Sequence, residues 1–349
     1  MADSLVNEEQ SEAKIIIVAP SWVGDMVMAQ CLLQELKQQW PNCLIDVLAP
    51  QWCAALIDHM PQVNRLIPAP FSHGKLGLLE RRRLGKKLAL ENYNRAYVLP
   101  NSLKSALVPW FAGIPLRIGF VGEQRYGLLN RRYKLNKTVL PTMVQRFVAL
   151  ARDDNEPPEF SSITAPRLVV GAETINLALQ THQLSADSQV LALCPGAEFG
   201  PAKQWPAQHY AAVARYYLDQ GWQVWLFGST KDNEVCAEIN AQTQAQCSDL
   251  SGKTSLSEAV ALLATVDLAV SNDSGLMHIA AALHKPLVAV YGSTDPGFTP
   301  PLNKQAKIVR SGLECSPCFE RICPLKHLDC LIKLKPNKVL KACHQLVTV

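Results

Sequence analysis

The aspartate at position 25 has the setting of a general base. It follows the turn Pro20-Ser-Trp-Val-Gly24, which joins an apolar strand to a segment with helical spacing. Gly24 would let the backbone approach a bound molecule closely, and a carboxylate within reach of a hydroxyl group can take its proton. An aspartate at the start of a helix is also a frequent helix cap. Position alone therefore leaves Asp25 evenly divided between catalysis and capping.

A second polar cluster, Ser271-Asn-Asp-Ser-Gly-Leu-Met-His278, closes a strand and opens a helix. Exposed backbone amides at a helix start bind phosphate well. Ser274 adds a hydroxyl group, Gly275 permits close approach, and His278 lies one turn further on. Taken singly, Asp273 would be an ordinary N-cap and His278 an ordinary core histidine. Together these residues predict a diphosphate site.

Lys203 lies in a third strand-to-helix segment, which runs from Cys194 to Pro206. Its ammonium group would offset the negative charge that develops on a departing diphosphate. A single lysine is usually only a solvated surface residue, but the nearby Gly196 and Gly200 favour a ligand-binding role. No Asp-x-Asp motif occurs in the sequence. Helix N-termini and Lys203 are therefore expected to bind the diphosphate in place of a metal ion.

Strands and helices alternate on both sides of a polar, proline-containing stretch at 153–167. Strands are predicted at 14–19, 43–49, 96–99, 190–194, 223–227, 267–271 and 287–291, and helices at 25–40, 50–60, 102–111, 205–220, 257–264 and 273–283. This alternation predicts an α/β protein with two Rossmann-like, doubly wound parallel-sheet domains that face a central cleft, where ligands lie at the carboxyl ends of strands. Neither half carries a Gly-x-Gly-x-x-Gly fingerprint, so a nicotinamide dehydrogenase is a poor candidate.

The predicted domain boundaries follow from this pattern. We expect a flexible tail at 1–13, a first domain at 14–165, a second domain at 166–335, and a C-terminal helix at 336–349 that packs back on the first domain.

The tail is acidic and lacks an apolar signal segment, and no run of 18 apolar residues predicts a membrane span. Eleven cysteines, mostly isolated in apolar segments, fit a reducing cytoplasm.

The positive charge of the chain is concentrated in its first half. The formal net charge is +4, yet residues 60–150 hold 16 Lys and Arg against three Glu, an excess of 13. Such a one-sided region predicts an anionic partner: a phosphorylated lipid, a membrane surface or a nucleic acid. A solvated surface balanced by acids nearby in space is the alternative.

Taken together, these motifs resemble the ADP-heptose:lipopolysaccharide heptosyltransferase family, whose fold is of the GT-B type, and within it the members that add the second heptose. The resemblance runs from about Lys14 onward. The stretches that carry it are Pro20-Ser-Trp-Val-Gly-Asp-Met26, Leu99-Pro-Asn-Ser-Leu-Lys-Ser-Ala-Leu-Val-Pro109, Phe111-Ala-Gly-Ile-Pro115, Arg125-Tyr-Gly-Leu-Leu-Asn130, Pro195-Gly-Ala-Glu-Phe-Gly-Pro-Ala-Lys203 and Ser271-Asn-Asp-Ser-Gly-Leu-Met-His-Ile-Ala-Ala-Ala-Leu283.

The resemblance implies an inverting transfer of L-glycero-D-manno-heptose from ADP-heptose to the first heptose of heptosyl-Kdo2-lipid A, with an α-1,3 bond. The first domain would bind the acceptor and the second the nucleotide sugar. Asp25 takes the catalytic-base position, no cofactor is required for catalysis, and a monomer is expected. The residues assigned to donor binding are Gly24, Lys203, Thr230, Asp273, Ser274, Gly275 and His278. Thr230 and Asp232 lie nearest to a position where some relatives carry a ribose-binding glutamate.

The basic first half would then meet an anionic lipid acceptor at the inner face of the cytoplasmic membrane. The residues assigned to acceptor binding are Arg81, Arg82, Arg83, Lys104 and Arg125. No nucleic-acid-binding motif accompanies them, so no nucleic-acid partner is expected.

Four cysteines near the C-terminus form a C-x2-C-x4-C-x6-C pattern: Cys315, Cys318, Cys323 and Cys330. Four close thiols in a reducing compartment can bind a structural Zn²⁺, although this spacing is tighter than that of two-knuckle zinc sites. Free thiols and regulatory oxidation are the alternatives, and a structural role is favoured over a catalytic one.

Two other functions fit parts of the sequence. A sugar-nucleotide epimerase of the same fold would turn over its substrate without a lipid acceptor. A non-catalytic protein at the membrane surface would bind the donor whether or not Asp25 is present.

Overall fold

The structure, a computed structural model, describes residues 13–71, 75–152 and 157–347. It divides into two compact units, residues 1–164 and residues 165–349. The predicted tail, apart from Ala13, lies outside the described residues, and so do residues 153–156 of the predicted connection.

The first unit contains a six-stranded parallel sheet. Its strands are β1 (Lys14–Val18), β2 (Leu44–Ala49), β3 (Arg65–Pro68), β4 (Arg95–Val98), β5 (Leu116–Phe120) and β6 (Arg131–Tyr133). Its helices are α1 (Val23–Gln39), α2 (Ala54–Ile57), α3 (Leu78–Leu88), α4 (Leu107–Phe111) and α5 (Met143–Ala149). The strand order is β3-β2-β1-β4-β5-β6. Central β1 is apolar throughout its buried length, as expected of a parallel strand covered on both faces.

The second unit repeats this design. Its strands are β7 (Val190–Cys194), β8 (Gln223–Leu226), β9 (Ser248–Asp249), β10 (Leu268–Asn272), β11 (Leu287–Tyr291) and β12 (Ala306–Arg310). Its helices are α6 (Ala172–Thr181), α7 (Ala207–Asp219), α8 (Asn233–Gln242), α9 (Leu256–Leu263), α10 (Gly275–Ala282), α11 (Asp329–Ile332) and α12 (Pro336–Cys343). The strands are parallel and ordered β12-β11-β10-β7-β8-β9.

In both sheets the second and third strands extend to one side of the first strand, and the fourth strand returns to its other side. In the first unit this switch point lies between β1 and β4, and in the second between β7 and β10. Parallel α/β sheets bind ligands beyond the carboxyl ends of the strands at such points. The segments that follow these four strands therefore occupy the ligand-binding edge of each sheet.

The C-terminal helix α12 belongs to the second unit. Val339, Ala342 and Cys343 are buried in the same core as Trp205 and the strand residue Val290. Our expectation that this helix also packs back on the first domain stays a prediction. Its apolar stripe is satisfied by the core of its own unit, because α12 packs against α7, β11 and β12.

Candidate functional site

Asp25 lies in the first turn of α1, immediately beyond the carboxyl end of β1. It is the third residue of the helix and is half-buried. Trp22 occupies the N-cap position and makes no side-chain capping hydrogen bond. Asp25 is therefore not the N-cap residue, although the helix dipole favours its ionised form. Its assignment as a general base stays a prediction.

Arg125 supports the segment after β4, which adjoins the Asp25 turn across the first switch point. Its guanidinium donates to the carbonyl oxygens of Pro100 and Phe120, each at 2.6 Å, and to the hydroxyl of Ser105 at 3.0 Å. The side chain is 1% exposed, and burial lowers the pKa of Arg125 to about 10. Arg125 thus fixes the loop at 99–105, and any effect on an acceptor would act through that loop.

The basic run at 81–83 separates into inward and outward side chains. Arg81 is buried, and its guanidinium donates to the carbonyl oxygens of Leu76 at 2.7 Å and Lys104 at 3.0 Å. Arg82 and Arg83 are exposed, and Lys104 is half-buried. The acceptor-binding prediction therefore rests on Arg82, Arg83 and the Lys104 side chain more than on Arg81.

The second unit brings Lys203 and Asp273 together at its switch point. Lys203 ends a 3₁₀ turn, Pro201–Lys203, and its ammonium donates to Asp273 Oδ2 at 2.6 Å. The hydroxyl of Thr294 donates to the same oxygen at 2.6 Å. The side chains of Lys203 and Asp273 are 14% and 4% exposed. Asp273 therefore holds the lysine at the strand ends, and it is not the N-cap of the following helix.

Ser274 is the N-cap of α10, and its hydroxyl accepts a hydrogen bond from the amide of Met277 at 3.5 Å. Gly275 is the first residue of the helix, so the backbone amides of the first turn open beside the Lys203–Asp273 pair. A helix N-terminus next to a lysine provides two features that bind phosphate, partial positive charge and a full one.

His278 is buried on the same helix, with its Nε2 atom 4.0 Å from Asp273 Oδ1. Burial lowers the pKa of His278 to about 4; the charge of Asp273 opposes this shift and that of Lys203 adds to it. The imidazole is therefore neutral near pH 7. It can offer hydrogen bonds at the site but no positive charge.

Asn272, the last residue of β10, links that strand by hydrogen bonds to the segment that follows β7. Its Oδ1 accepts from the Tyr210 hydroxyl at 2.9 Å and from the Trp205 amide at 3.2 Å. Its Nδ2 donates to the carbonyl oxygen of Pro195 at 2.6 Å. The loop after β7 is thereby held against the start of α10.

Of the two residues considered for the ribose, Asp232 lies closer to this loop. Its carboxylate accepts from the amide and hydroxyl of Ser229, both at 2.8 Å. A Cβ atom added at Gly196 would lie 2.5 Å from Asp232 Cγ, so Gly196 is needed for this approach. Thr230 is exposed, and its Cγ2 would lie 2.9 Å from a Cβ atom added at Gly252.

Phe199 and Arg321 add a feature that the sequence analysis missed. The Phe199 ring centroid lies 5.0 Å from Lys203 Nζ and 5.2 Å from Arg321 Cζ. The carbonyl oxygen of Arg321 also accepts from the amide of Ala202 at 3.1 Å. A second cation, carried by the cysteine-rich segment, therefore contacts the same aromatic ring as the lysine.

The four cysteines line one small cavity of about 20 Å³ together with Ala202, Ser293 and His327. Cys330 is buried, Cys318 and Cys323 are partly exposed, and Cys315 is exposed. Backbone amides, led by that of Leu328, lower the pKa of the Cys323 thiol. Among the residues that the structure describes, no group of three or more His, Cys, Asp or Glu is arranged to hold a metal ion.

Thr294 and Asn272 were also missed as site residues, although both follow the same rule as the residues that were found. Thr294 comes shortly after β11 and Asn272 ends β10. A search for polar residues after every predicted strand, and not only before helices, would have found Thr294. Asn272 lies inside the cluster Ser271–His278, where it was given no role of its own. The sequence carries no comparable signal for Phe199 or Arg321, because their pairing depends on tertiary contacts.

Comparison with known proteins identifies related chains across most of this length. Residues 81–329 match the family model described as glycosyltransferase family 9 (heptosyltransferase). The chain is 46% identical over 343 residues to lipopolysaccharide heptosyltransferase 2 of Salmonella typhimurium, with 96% of this chain and 99% of that protein covered. It is 49% identical over 305 residues to lipopolysaccharide heptosyltransferase 2 of Escherichia coli, with 85% and 88% covered.

A solved structure gives the same relationship for the fold. The structure of Escherichia coli ADP-heptose lps heptosyltransferase II matches with a TM-score of 0.84 and 45% sequence identity, covering 95% of this chain and 98% of that chain.

Proposed function

Because this chain belongs to glycosyltransferase family 9, the heptosyltransferases, we propose that it transfers L-glycero-D-manno-heptose from ADP-heptose to the first heptose of the lipopolysaccharide inner core. Its two parallel-sheet units match the GT-B fold of that family. The observation that carries the donor proposal is the Lys203–Asp273 pair beside the first turn of α10.

The donor diphosphate would bind the amides at the start of α10, the Ser274 hydroxyl and the Lys203 ammonium. Lys203 is already oriented by Asp273, so little side-chain entropy is lost on binding. As the bond to the anomeric carbon breaks, negative charge collects on the departing ADP, and a fixed ammonium group stabilises it. Neutral His278 can contribute a hydrogen bond. The transfer needs no cofactor.

Asp25 would serve the acceptor. Its carboxylate takes the proton of the attacking hydroxyl while the oxygen forms a bond to the anomeric carbon and ADP leaves from the opposite side. One direct displacement inverts the anomeric configuration and, from ADP-heptose, gives the α-1,3 bond. General-base assistance of this kind contributes about 10²–10⁴-fold to the rate.

The acceptor would be heptosyl-Kdo2-lipid A, an anionic lipid at the cytoplasmic face of the inner membrane. The exposed Arg82 and Arg83 support this choice, since guanidinium groups pair well with phosphate and carboxylate groups. Among the described residues, no helix is long and apolar enough to cross a membrane. The enzyme would act as a monomer that associates peripherally with the membrane surface.

The test is a product analysis. Wild-type protein with ADP-heptose and heptosyl-Kdo2-lipid A should yield a lipid that is larger by one heptose, joined to O3 of the first heptose, as NMR of the released core sugar would reveal. ADP-heptose consumed without any acceptor would favour an epimerase or hydrolase. Donor binding without turnover would favour a binding protein.

As a second part of the proposal, the four cysteines around this cavity would bind a structural zinc ion. Four thiols face one cavity of about 20 Å³, and the buried Ser293 hydroxyl there has no hydrogen-bond partner among the described residues. Thiolates are the ligands of structural zinc. No group of three or more such side chains is already arranged to hold a metal in the described residues, so the four thiols would have to move closer together as the metal binds.

Metal analysis of the purified chain tests the zinc proposal. One equivalent of zinc, lost in Cys318→Ser/Cys330→Ser but kept in the control Cys31→Ser/Cys53→Ser, would support it. If the wild type holds no metal and all four cysteines of the cluster react as free thiols, the result would contradict the zinc proposal and favour free cysteines.

A further inference from the structure

The outward side of helix α3 carries a stripe of basic and apolar residues, here named the α3 face. Its members are Leu79, Arg82, Arg83, Lys86, Lys87 and Leu90. Their spacing is i, i+3, i+4, i+7, i+8 and i+11, so they share one side of the helix and of the 3₁₀ turn Ala89–Glu91 that continues it. All six are exposed, Leu79 at 63% and Leu90 at 82%.

The opposite side of α3 fixes this orientation. Arg81, Gly85 and Leu88 are buried. A Cβ atom added at Gly85 would lie 2.4 Å from Phe111 Cβ, so α3 is in close contact with α4 there. The helix cannot turn its apolar end residues inward without breaking this contact. The exposure of Leu79 and Leu90 is therefore a property of the fold.

Among the residues that the structure describes, none of the four basic side chains of the α3 face forms an ion pair. Three acids occur between residues 60 and 150. Glu91 is paired with Lys14 and Arg65, each at 2.8 Å, and Glu123 accepts from the amide of Leu103. The third, Glu80, is exposed at the rim of the face.

We propose that the α3 face docks on an anionic lipid bilayer. Arginine and lysine are drawn to the headgroup phosphates, and the two leucines at the ends of the stripe can enter the acyl boundary. A nucleic acid would match the charge but give no gain for two exposed leucines. The inference deepens the proposed function, because it names the surface on which the enzyme would meet a lipid-borne acceptor.

The position of α3 in the sheet gives the docking a direction. The helix follows β3 and precedes β4, so its first residues lie at the carboxyl edge of the parallel sheet. Helix α1 begins with Asp25 at that same edge. A bilayer lying along the α3 face would therefore have the acceptor side of the first unit at one end of the contact.

Vesicle sedimentation of the full chain tests the inference. Wild type should bind vesicles of phosphatidylcholine with phosphatidylglycerol and should not bind phosphatidylcholine alone. Each lysine near an anionic surface contributes about fivefold, so Lys86→Gln/Lys87→Gln should weaken binding by about 25-fold. The matched control, Lys304→Gln/Lys307→Gln, removes two exposed lysines of the second unit and should bind as wild type does. Leu79→Ser/Leu90→Ser should also weaken binding.

Wild-type affinity for anionic vesicles in either α3 variant would overturn the inference. Binding to duplex DNA in place of vesicles would overturn it as well. Transfer to a lipid-free heptosyl-Kdo acceptor separates this inference from the proposed function. Leu79→Ser/Leu90→Ser should keep wild-type ADP release with that acceptor. A protein that binds vesicles through α3 but transfers no heptose would contradict the function alone, and the reverse would contradict the docking alone.

Discussion

The pairing of Lys203 with Asp273 allows the structural and ligand-binding roles of the lysine to be separated. Lys203→Met leaves Asp273 almost fully buried, at 4% exposure, with the Thr294 hydroxyl and no cation. Removing one partner of a buried ion pair costs about 3–5 kcal/mol. The remaining hydroxyl partner places this case near the lower end, about 3 kcal/mol. For a unit of this size that corresponds to a fall in Tm of about 6–12 °C.

A second variant removes both charges. Lys203→Met/Asp273→Asn leaves no uncompensated carboxylate, and its Tm should return to within about 2 °C of the wild type. ADP binding should not return, because the ammonium that pairs with the diphosphate is still missing. A hydrogen bond to a charged group is worth about 1.5–3 kcal/mol, so both variants should bind ADP about 10–150-fold more weakly.

Calorimetry measures both quantities: scanning calorimetry gives the Tm and titration gives the ADP affinity. Wild-type ADP affinity in the double variant would refute the reasoning, since Lys203 would then serve only to neutralise Asp273. An unchanged Tm in Lys203→Met would refute the predicted structural role of the lysine, since the buried Asp273 carboxylate would then need no cation.

Three further predictions follow from the same geometry. The pKa of His278 is about 4 in the folded protein and 6.5 in its ordinary state, so the free energy of unfolding falls as the pH is lowered from 6.5 toward 4. Urea unfolding at pH 7.5 and pH 5 measures this loss. The wild type should lose about 2 kcal/mol more than His278→Gln between these two pH values. Gly196→Ala forces a Cβ against Asp232 and should weaken ADP binding in titration calorimetry, while Gly171→Ala, which meets only a contact of 4.0 Å, should not. Arg125→Met should lower stability by about 3 kcal/mol with ADP affinity unchanged, because its hydrogen bonds lie in the first unit; a loss of ADP binding would contradict that separation.

The family and the fold class could be predicted from sequence, and both predictions are confirmed. Central strands such as β1 and β10 are continuous apolar runs between turn residues, and this pattern is typical of buried parallel strands. The edge strands could not be predicted in the same way. Strands such as Ser248–Asp249 and Arg131–Tyr133 are short and polar, because an edge strand needs less apolar surface.

The candidate site was only partly predictable. Lys203, Asp273 and Ser274 could be chosen because strand-to-helix turns share one edge of a parallel sheet. The exchange of roles between Asp273 and Ser274 could not, since both residue types cap helices equally well. Arg81 and Arg82 are also indistinguishable in a basic run, and only the packing of α3 decides which guanidinium is buried.

The most direct test of heptosyl transfer with Asp25 as its base is ADP release from ADP-heptose, with and without heptosyl-Kdo2-lipid A, for wild type, Asp25→Asn and the exposed control Asp58→Asn. We expect acceptor-dependent release in wild type and in Asp58→Asn, and a loss of about a hundredfold or more in Asp25→Asn with ADP affinity unchanged. Full activity of Asp25→Asn, or release that does not depend on the acceptor, would contradict this mechanism.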